Sequence, residues 1–176
     1  MHKLAKEGFL RKYIQCLSNE SPFIFVLTFP AVCNHFQSEF GQSCITEKVV
    51  EVDLTKHFKF IELEKPYSGF TPDILLSADE GSEVLFVEIA VSHKCEENKI
   101  RFGKRIIEIE ITDEDDVSEI LSGRLSESSA KVKTHNFKKK ELIGDICKGQ
   151  CQRKVNLFLI YESKKSILLE LPPARR

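Results

Sequence analysis

Val84-Leu85-Phe86-Val87-Glu88-Ile89-Ala90-Val91 is an apolar strand with one carboxylate in its middle. With a side-chain period of two, Leu85, Val87, Ile89 and Val91 face one way and Val84, Phe86, Glu88 and Ala90 the other. Both faces are apolar, so the strand is predicted to lie at the centre of a covered sheet. A carboxylate in that position carries a large desolvation cost unless a cation sits beside it. Fifteen residues upstream, Asp73 closes Phe70-Thr71-Pro72-Asp73 and opens a second apolar run, Ile74-Leu75-Leu76. The polar segment 77–83 between the runs has hairpin composition, which brings the two acids to adjacent strands where they can share one metal ion.

Outward from this hairpin the pattern alternates between helix and strand. Leu4, Leu10, Tyr13, Ile14 and Leu17 recur at helical spacing and predict an amphipathic helix over residues 2–18, ended by the segment 19–22. The apolar run 23–32 reads as a core strand, and residues 33–45 as a loop that needs outside support. Residues 49–60 are ambiguous between strand and a short helix over 54–58, and 60–64 looks extended before the turn at Pro66-Tyr67-Ser68-Gly69. After the Glu88 strand a short helix is expected over 95–104, ending at Gly103. The strand 105–111 follows, with Ile107, Ile109 and Ile111 on one face and Glu108 and Glu110 on a face expected to be solvated. Thr112 or Asp113 caps a helix through Leu121, with Gly123 just beyond. Residues 131–140 form a basic stretch around His135 and Phe137, and 157–161 with 167–169 read as a closing hairpin. Hairpins among the early strands and a helix crossing over to the next give an α/β fold with a mixed sheet.

The chain has 176 residues and 41% apolar content, enough for one well-buried domain over 1–176. Lys and Arg number 26 against 27 Asp and Glu, so the net charge of -1 neither favours nor excludes a polyanionic partner. The local distribution says more: Lys94, Lys99, Arg101, Lys104 and Arg105 gather in one stretch, Lys131, Lys133, Lys138, Lys139 and Lys140 in another, and acids in 108–119. A chain polarised in this way can dock a phosphate backbone along one side. The first seven residues are too charged for the apolar core of a signal peptide, and the longest apolar run is about half of the roughly 20 residues a spanning helix needs. A cytoplasmic protein without a membrane partner is the expectation, and its six cysteines are then thiols or metal ligands.

The order of Glu64, Pro72-Asp73, Glu88 and the basic helix beyond resembles the PD-(D/E)xK nuclease superfamily. More narrowly, Gly69-Phe70-Thr71-Pro72-Asp73-Ile74-Leu75-Leu76, then Val87-Glu88-Ile89-Ala90-Val91-Ser92-His93 and Glu96-Glu97-Asn98-Lys99, then Ile106-Ile107-Glu108-Ile109-Glu110-Ile111, looks like the branch related to the competence protein CoiA. The match spans residues 45 to about 140. The resemblance implies a restriction-endonuclease-like core in which Asp73 and Glu88 bind Mg²⁺ or Mn²⁺, with Glu64 as a third acid in competition with Glu62. It further implies phosphodiester hydrolysis of nucleic acid, with DNA the expected substrate. Hard oxygen ligands suit such an ion. The lysine that the superfamily carries two residues after the acid is Ala90 here. Lys99 is the first replacement to consider, with Lys94 and His93 next; without a replacement the chain would be a non-catalytic nucleic-acid-binding or scaffold module. Lys94, Arg101, Lys104, Lys138 and Lys139 are the candidate phosphate contacts.

The cysteines make a second constellation. Cys147-Lys148-Gly149-Gln150-Cys151 places two thiols around a glycine, and Cys33 and Cys44 flank the loop that needs support. Together they form a Cys₄ set for a structural Zn²⁺, with His35 as a replacement ligand; reduced, unliganded thiols are the alternative.

Overall fold

Every residue of the strand around Glu88, Val84–Ala90, is buried. A computed structural model of the chain describes residues 1–41, 43–78, 83–91, 95–148 and 155–171. It is an α/β protein with mixed sheets, and among the described residues no helix is long and apolar enough to cross a membrane. The chain divides into two compact units, one of Met1–Thr28 with Val49–Lys139 and one of Phe29–Lys48 with Lys140–Arg176.

The first unit opens with α1 (His2–Ser18), as the helical spacing predicts. Its buried face differs from the one expected: Ala5, Lys6, Phe9, Tyr13 and Cys16 point inward, whereas Leu4 and Ile14 are exposed. The reason is aromatic packing. Phe9 and Tyr13 each close on Phe23, with ring centroids 4.9 and 5.3 Å away, and the buried Tyr13 hydroxyl donates to the Phe58 carbonyl at 2.9 Å. Three large rings bury more apolar surface than the two aliphatic side chains left outside, and the phenol is satisfied. The strand 23–32 appears as β1 (Ile24–Cys33).

The loop expected over 33–45 contains one helical turn, α2 (Gln37–Phe40), and ends in β2 (Cys44–Asp53). Both readings of 49–60 hold in sequence: β2 gives way at Asp53 to α3 (Leu54–His57), and β3 (Phe60–Leu63) follows. Asp53 makes that switch, since its Oδ1 accepts from the N–H of Thr55 at 3.1 Å and from that of Phe23 at 3.2 Å, capping the helix and tying it to β1.

The central sheet of this unit has five strands in the order β3, β4 (Ile74–Ser77), β5 (Val84–Ala90), β6 (Arg105–Glu110) and β8 (Val132–His135). β4 and β5 are the antiparallel hairpin read from the sequence, with Ile74 opposite Val87 and Ser77 opposite Val84; the turn at 79–82 lies outside the described residues. β5 and β6 are parallel, joined by a crossover containing α4 (Glu97–Arg101) that ends near Gly103 at φ 83°. β8 is the strand the basic composition of 131–140 concealed. It pairs antiparallel with β6, so β6 is covered on both sides and is not an edge.

α5 (Glu114–Leu121) begins with a capping box: the Asp116 N–H donates to Asp113 Oδ1 at 3.1 Å and the Asp113 N–H returns to Asp116 Oδ2 at 3.2 Å. Asp116 also accepts from the Thr112 N–H at 2.7 Å and pairs with Lys131. Burial pushes its carboxyl up, but Lys131 and these N–H donors outweigh that and hold it well below the ordinary Asp range. A depressed folded pKa gives stability that is present above the unfolded pKa and lost as pH falls through the folded one. Asp116→Ala is therefore expected to lose about 2 kcal/mol at neutral pH in urea unfolding, with the gap to wild type narrowing below pH ~4. An equal gap at pH 7 and pH 3 would remove the electrostatic part of the argument. The helix stops at Gly123, where φ is 76° and an added Cβ would lie 2.8 Å from Lys12 Cε. β7 (Arg124–Ser126) then runs parallel to the start of β1.

In the second unit the end of β1 pairs in parallel with β9 (Leu142–Gly144), setting Cys33 opposite Gly144. The closing hairpin is β10 (Val155–Ile160) and β11 (Ser166–Leu171), antiparallel with Ile160 opposite Ser166.

Candidate active site

One step beyond the Ile74–Val87 pair, the β4–β5 register sets Asp73 opposite Glu88, and facing positions of an antiparallel pair project to the same side. Both acids line a cleft of about 540 Å³ together with His2, Ala90, Cys95 and Lys99. Asp73 is oriented by the backbone, its Oδ2 accepting from the Ile89 N–H at 2.9 Å. The same oxygen lies 3.1 Å from His2 Nε2, and Oδ1 lies 3.5 Å from Lys6 Nζ. Glu88 is only 8% exposed and accepts from Lys99 Nζ with both oxygens, at 2.9 and 3.0 Å. Lys99 is held in turn by the Thr71 carbonyl at 3.2 Å. Burial pushes the Glu88 carboxyl above its usual range; Lys99 opposes this and the charge of Asp73 adds to it, for a net upward shift.

The lysine missing at Ala90 is thus matched by an ammonium from α4 lying on Glu88 itself. The two other replacements weighed, His93 and Lys94, lie outside the described residues. The Glu64 carboxylate is ion-paired with Lys6, and among the described residues no three of Asp73, Glu88, Glu64 and Glu62 bring ligand atoms within 4.8 Å of one another. Glu62 is engaged with Lys65 at 2.7 Å.

Lys6 and His2 were not legible as site residues. Lys6 is 7% exposed on the packed face of α1, between Glu64 and Asp73. Burial lowers the pKa of its ammonium, yet the bond to Glu64 and the charges of Glu64 and Asp73 raise it further, so the lysine stays charged. Lys6 adjoins the Ala5, Phe9 and Tyr13 stripe, whereas the spacing of Leu4, Leu10, Tyr13, Ile14 and Leu17 turns a different face of the helix inward.

Glu108 also departs from expectation. It sits beside Glu88 in the parallel β5–β6 register, is 3% exposed, and accepts from His135 Nε2 at 3.0 Å. Tyr67, Phe70, Ile100 and Phe102 pack on Phe86 and Ile106 of this same face, and β8, beside β6 in the sheet, supplies the histidine, which is why Glu108 is buried where a solvated face was expected. Glu110 is half-buried with Lys133 at 3.8 Å. Burial first, and then the charge of Glu88, push the Cys95 thiol up to about 11, which keeps it protonated at neutral pH.

The candidate phosphate contacts divide. Lys138 is exposed, and Arg101 is exposed with Glu97 at 2.9 Å. Lys104 lies over the Tyr67 ring, 5.6 Å from its centroid. Lys139 is committed to Glu127 in a partly buried ion pair, and Phe137 packs on Phe25 with centroids 6.1 Å apart, so neither offers a free surface group. Lys94 lies outside the described residues.

In the second unit Cys33, Asp145 and Cys147 form a group whose ligand atoms all lie within 4.8 Å, and this group could hold a metal ion. Cys44 is not part of it, and Cys151 lies outside the described residues. His35, expected as a replacement ligand, instead bonds Asp145 Oδ1 through Nδ1 at 2.8 Å.

Comparison with family models, with curated proteins and with solved structures finds no match to this chain.

Proposed function

We propose that this chain is a Mg²⁺-dependent nuclease of the PD-(D/E)xK class, in the CoiA-like branch, with a restriction-endonuclease-like core, hydrolysing phosphodiester bonds of DNA. The observation that carries the reading is Lys99 Nζ on Glu88, with Asp73 at the facing strand position in the same cleft. Asp73 and Glu88 fit a hard divalent ion, because Mg²⁺ is commonly held by one or two carboxylates with water and phosphate oxygens completing its shell. Bound there, it would polarise a phosphate oxygen and acidify a water. The chain's own residues supply the rest. The Ile89 N–H fixes the Asp73 carboxylate, and the Lys99 ammonium, anchored by the Thr71 carbonyl, is available to stabilise charge developing on the phosphate.

Incubation of the full chain with single- and double-stranded DNA and RNA, with Mg²⁺, Mn²⁺ or EDTA, tests the proposal: metal-dependent cleavage of DNA is expected, and none with any substrate would overturn it. A second reading, a non-catalytic nucleic-acid-binding module, is favoured by Ala90 and by the ion pairs that already neutralise both acids. Under either reading Arg101→Ala and Lys138→Ala are expected to weaken binding and each to lower the slope of log K against log salt by roughly 1. Unchanged slopes would place the nucleic acid elsewhere.

A further inference from the structure

We infer that Cys33, Asp145 and Cys147 are the protein ligands of a zinc site in the second unit, with His35 as the positioning residue that orients Asp145. The site joins positions more than a hundred residues apart. Cys33 is the last residue of β1, and Asp145 and Cys147 follow β9, which pairs with that end of β1 and whose Gly144 carbonyl accepts from the Asn34 N–H at 3.0 Å.

The sulfurs of Cys33 and Cys147 lie 3.4 Å apart. A disulfide would require about 2.05 Å, whereas two thiolates on a tetrahedral zinc at 2.3 Å lie roughly 3.8 Å apart. The spacing is near the second value, and a small adjustment completes it. A lone thiol–thiol hydrogen bond would also account for the distance, but not for what surrounds Cys33. Its Sγ accepts from the Cys147 N–H at 3.4 Å. A backbone N–H directed at a buried sulfur favours its thiolate.

Asp145 completes the donor set and is itself held. The His35 ring at 2.8 Å and the Lys148 N–H at 3.0 Å both bond its Oδ1. A ligand carboxylate fixed by an outer hydrogen-bonding partner is the arrangement that tunes a metal site. Two thiolates and a carboxylate select a borderline-soft ion such as Zn²⁺ over Mg²⁺, with one coordination position left for water or another donor. Because the ligands come from distant parts of the chain, such an ion would also stabilise the unit against unfolding.

The test uses the full chain purified without chelator and reads metal and not cleavage, so its outcome is independent of the nuclease reading. Elemental analysis is expected to give about one zinc per chain. After removal with EDTA, added Co²⁺ should produce a thiolate-to-cobalt charge-transfer band. Cys33→Ser and Cys147→Ser should lose the band, and His35→Ala should keep it while weakening Zn²⁺ binding by ~10–100-fold in a competition titration. If the serine variants fail to fold by circular dichroism, the wild-type cobalt spectrum and the His35→Ala titration decide. No zinc and no cobalt band in the wild type would overturn the site, as would a Cys33–Cys147 disulfide in metal-free protein. Full metal retention in folded Cys33→Ser and Cys147→Ser would also overturn it.

Discussion

Under the proposed nuclease reading, Asp73→Asn and Glu88→Gln are each expected to lower Mg²⁺-dependent cleavage by ~10³-fold or more, because either change would remove an anionic ligand of the ion and with it several kcal/mol of charge stabilisation. The amide variants are preferable to alanine for a reason visible in the cleft. Lys99 is only 11% exposed in its side chain and its ammonium rests on both Glu88 oxygens, so Glu88→Ala would leave a nearly buried cation without its partner, which is strongly destabilising. Gln keeps one acceptor for it. Asn at position 73 likewise keeps an acceptor for the Ile89 N–H. A melting temperature close to wild type in both amide variants, together with lost cleavage, would separate metal binding from folding. Cleavage that survives in both would assign the activity to another site or another protein.

Lys99→Met is expected to lower kcat by ~10²-fold or more at saturating Mg²⁺, with a smaller effect on KM, if the ammonium acts on charge that develops in the transition state. The same lysine is also the counter-ion of a buried acid, and this second role has its own signature. Glu88 already titrates above the usual carboxylate range, with Lys99 opposing the effect of burial. Removing Lys99 therefore raises the Glu88 pKa further. Because proton and metal compete for the same oxygens, cleavage falls as pH drops through that pKa, and the acidic limb of the pH profile should move to higher pH in Lys99→Met. A shifted limb with normal kcat on its plateau would make Lys99 a counter-ion alone, and the proposed catalytic role would be lost. Ala90→Lys is the complementary change. Position 90 lies on the same strand face as Glu88 and lines the cleft, so a lysine there restores the spacing that the nuclease superfamily shows.

The alternation around Glu88, the apolar run after Asp73 and the polar segment between them were enough to set the two acids on neighbouring strands. A hairpin closes over a few residues, and its register follows from a period of two, so both are written in adjacent sequence. Local chemistry in the same way announced α1, a cap of α5 at Thr112 or Asp113, of which Asp113 is the one used, and a short helix before Gly103. What only the tertiary structure decided is which charges meet. Lys6 and His2 reach Asp73 from 67 and 71 residues away because the aromatic face of α1 docks on Phe23, and no periodicity within the helix says which face will be covered. Glu108 is buried rather than solvated because Tyr67, Phe70, Ile100 and Phe102 pack on its sheet face and β8 brings His135 to it. Cys33 meets Asp145 and Cys147, and not Cys44, because β9 lies beside the end of β1. Each of these depends on a contact distant in sequence, whose free energy comes from packing and desolvation that exist only once the chain has closed on itself.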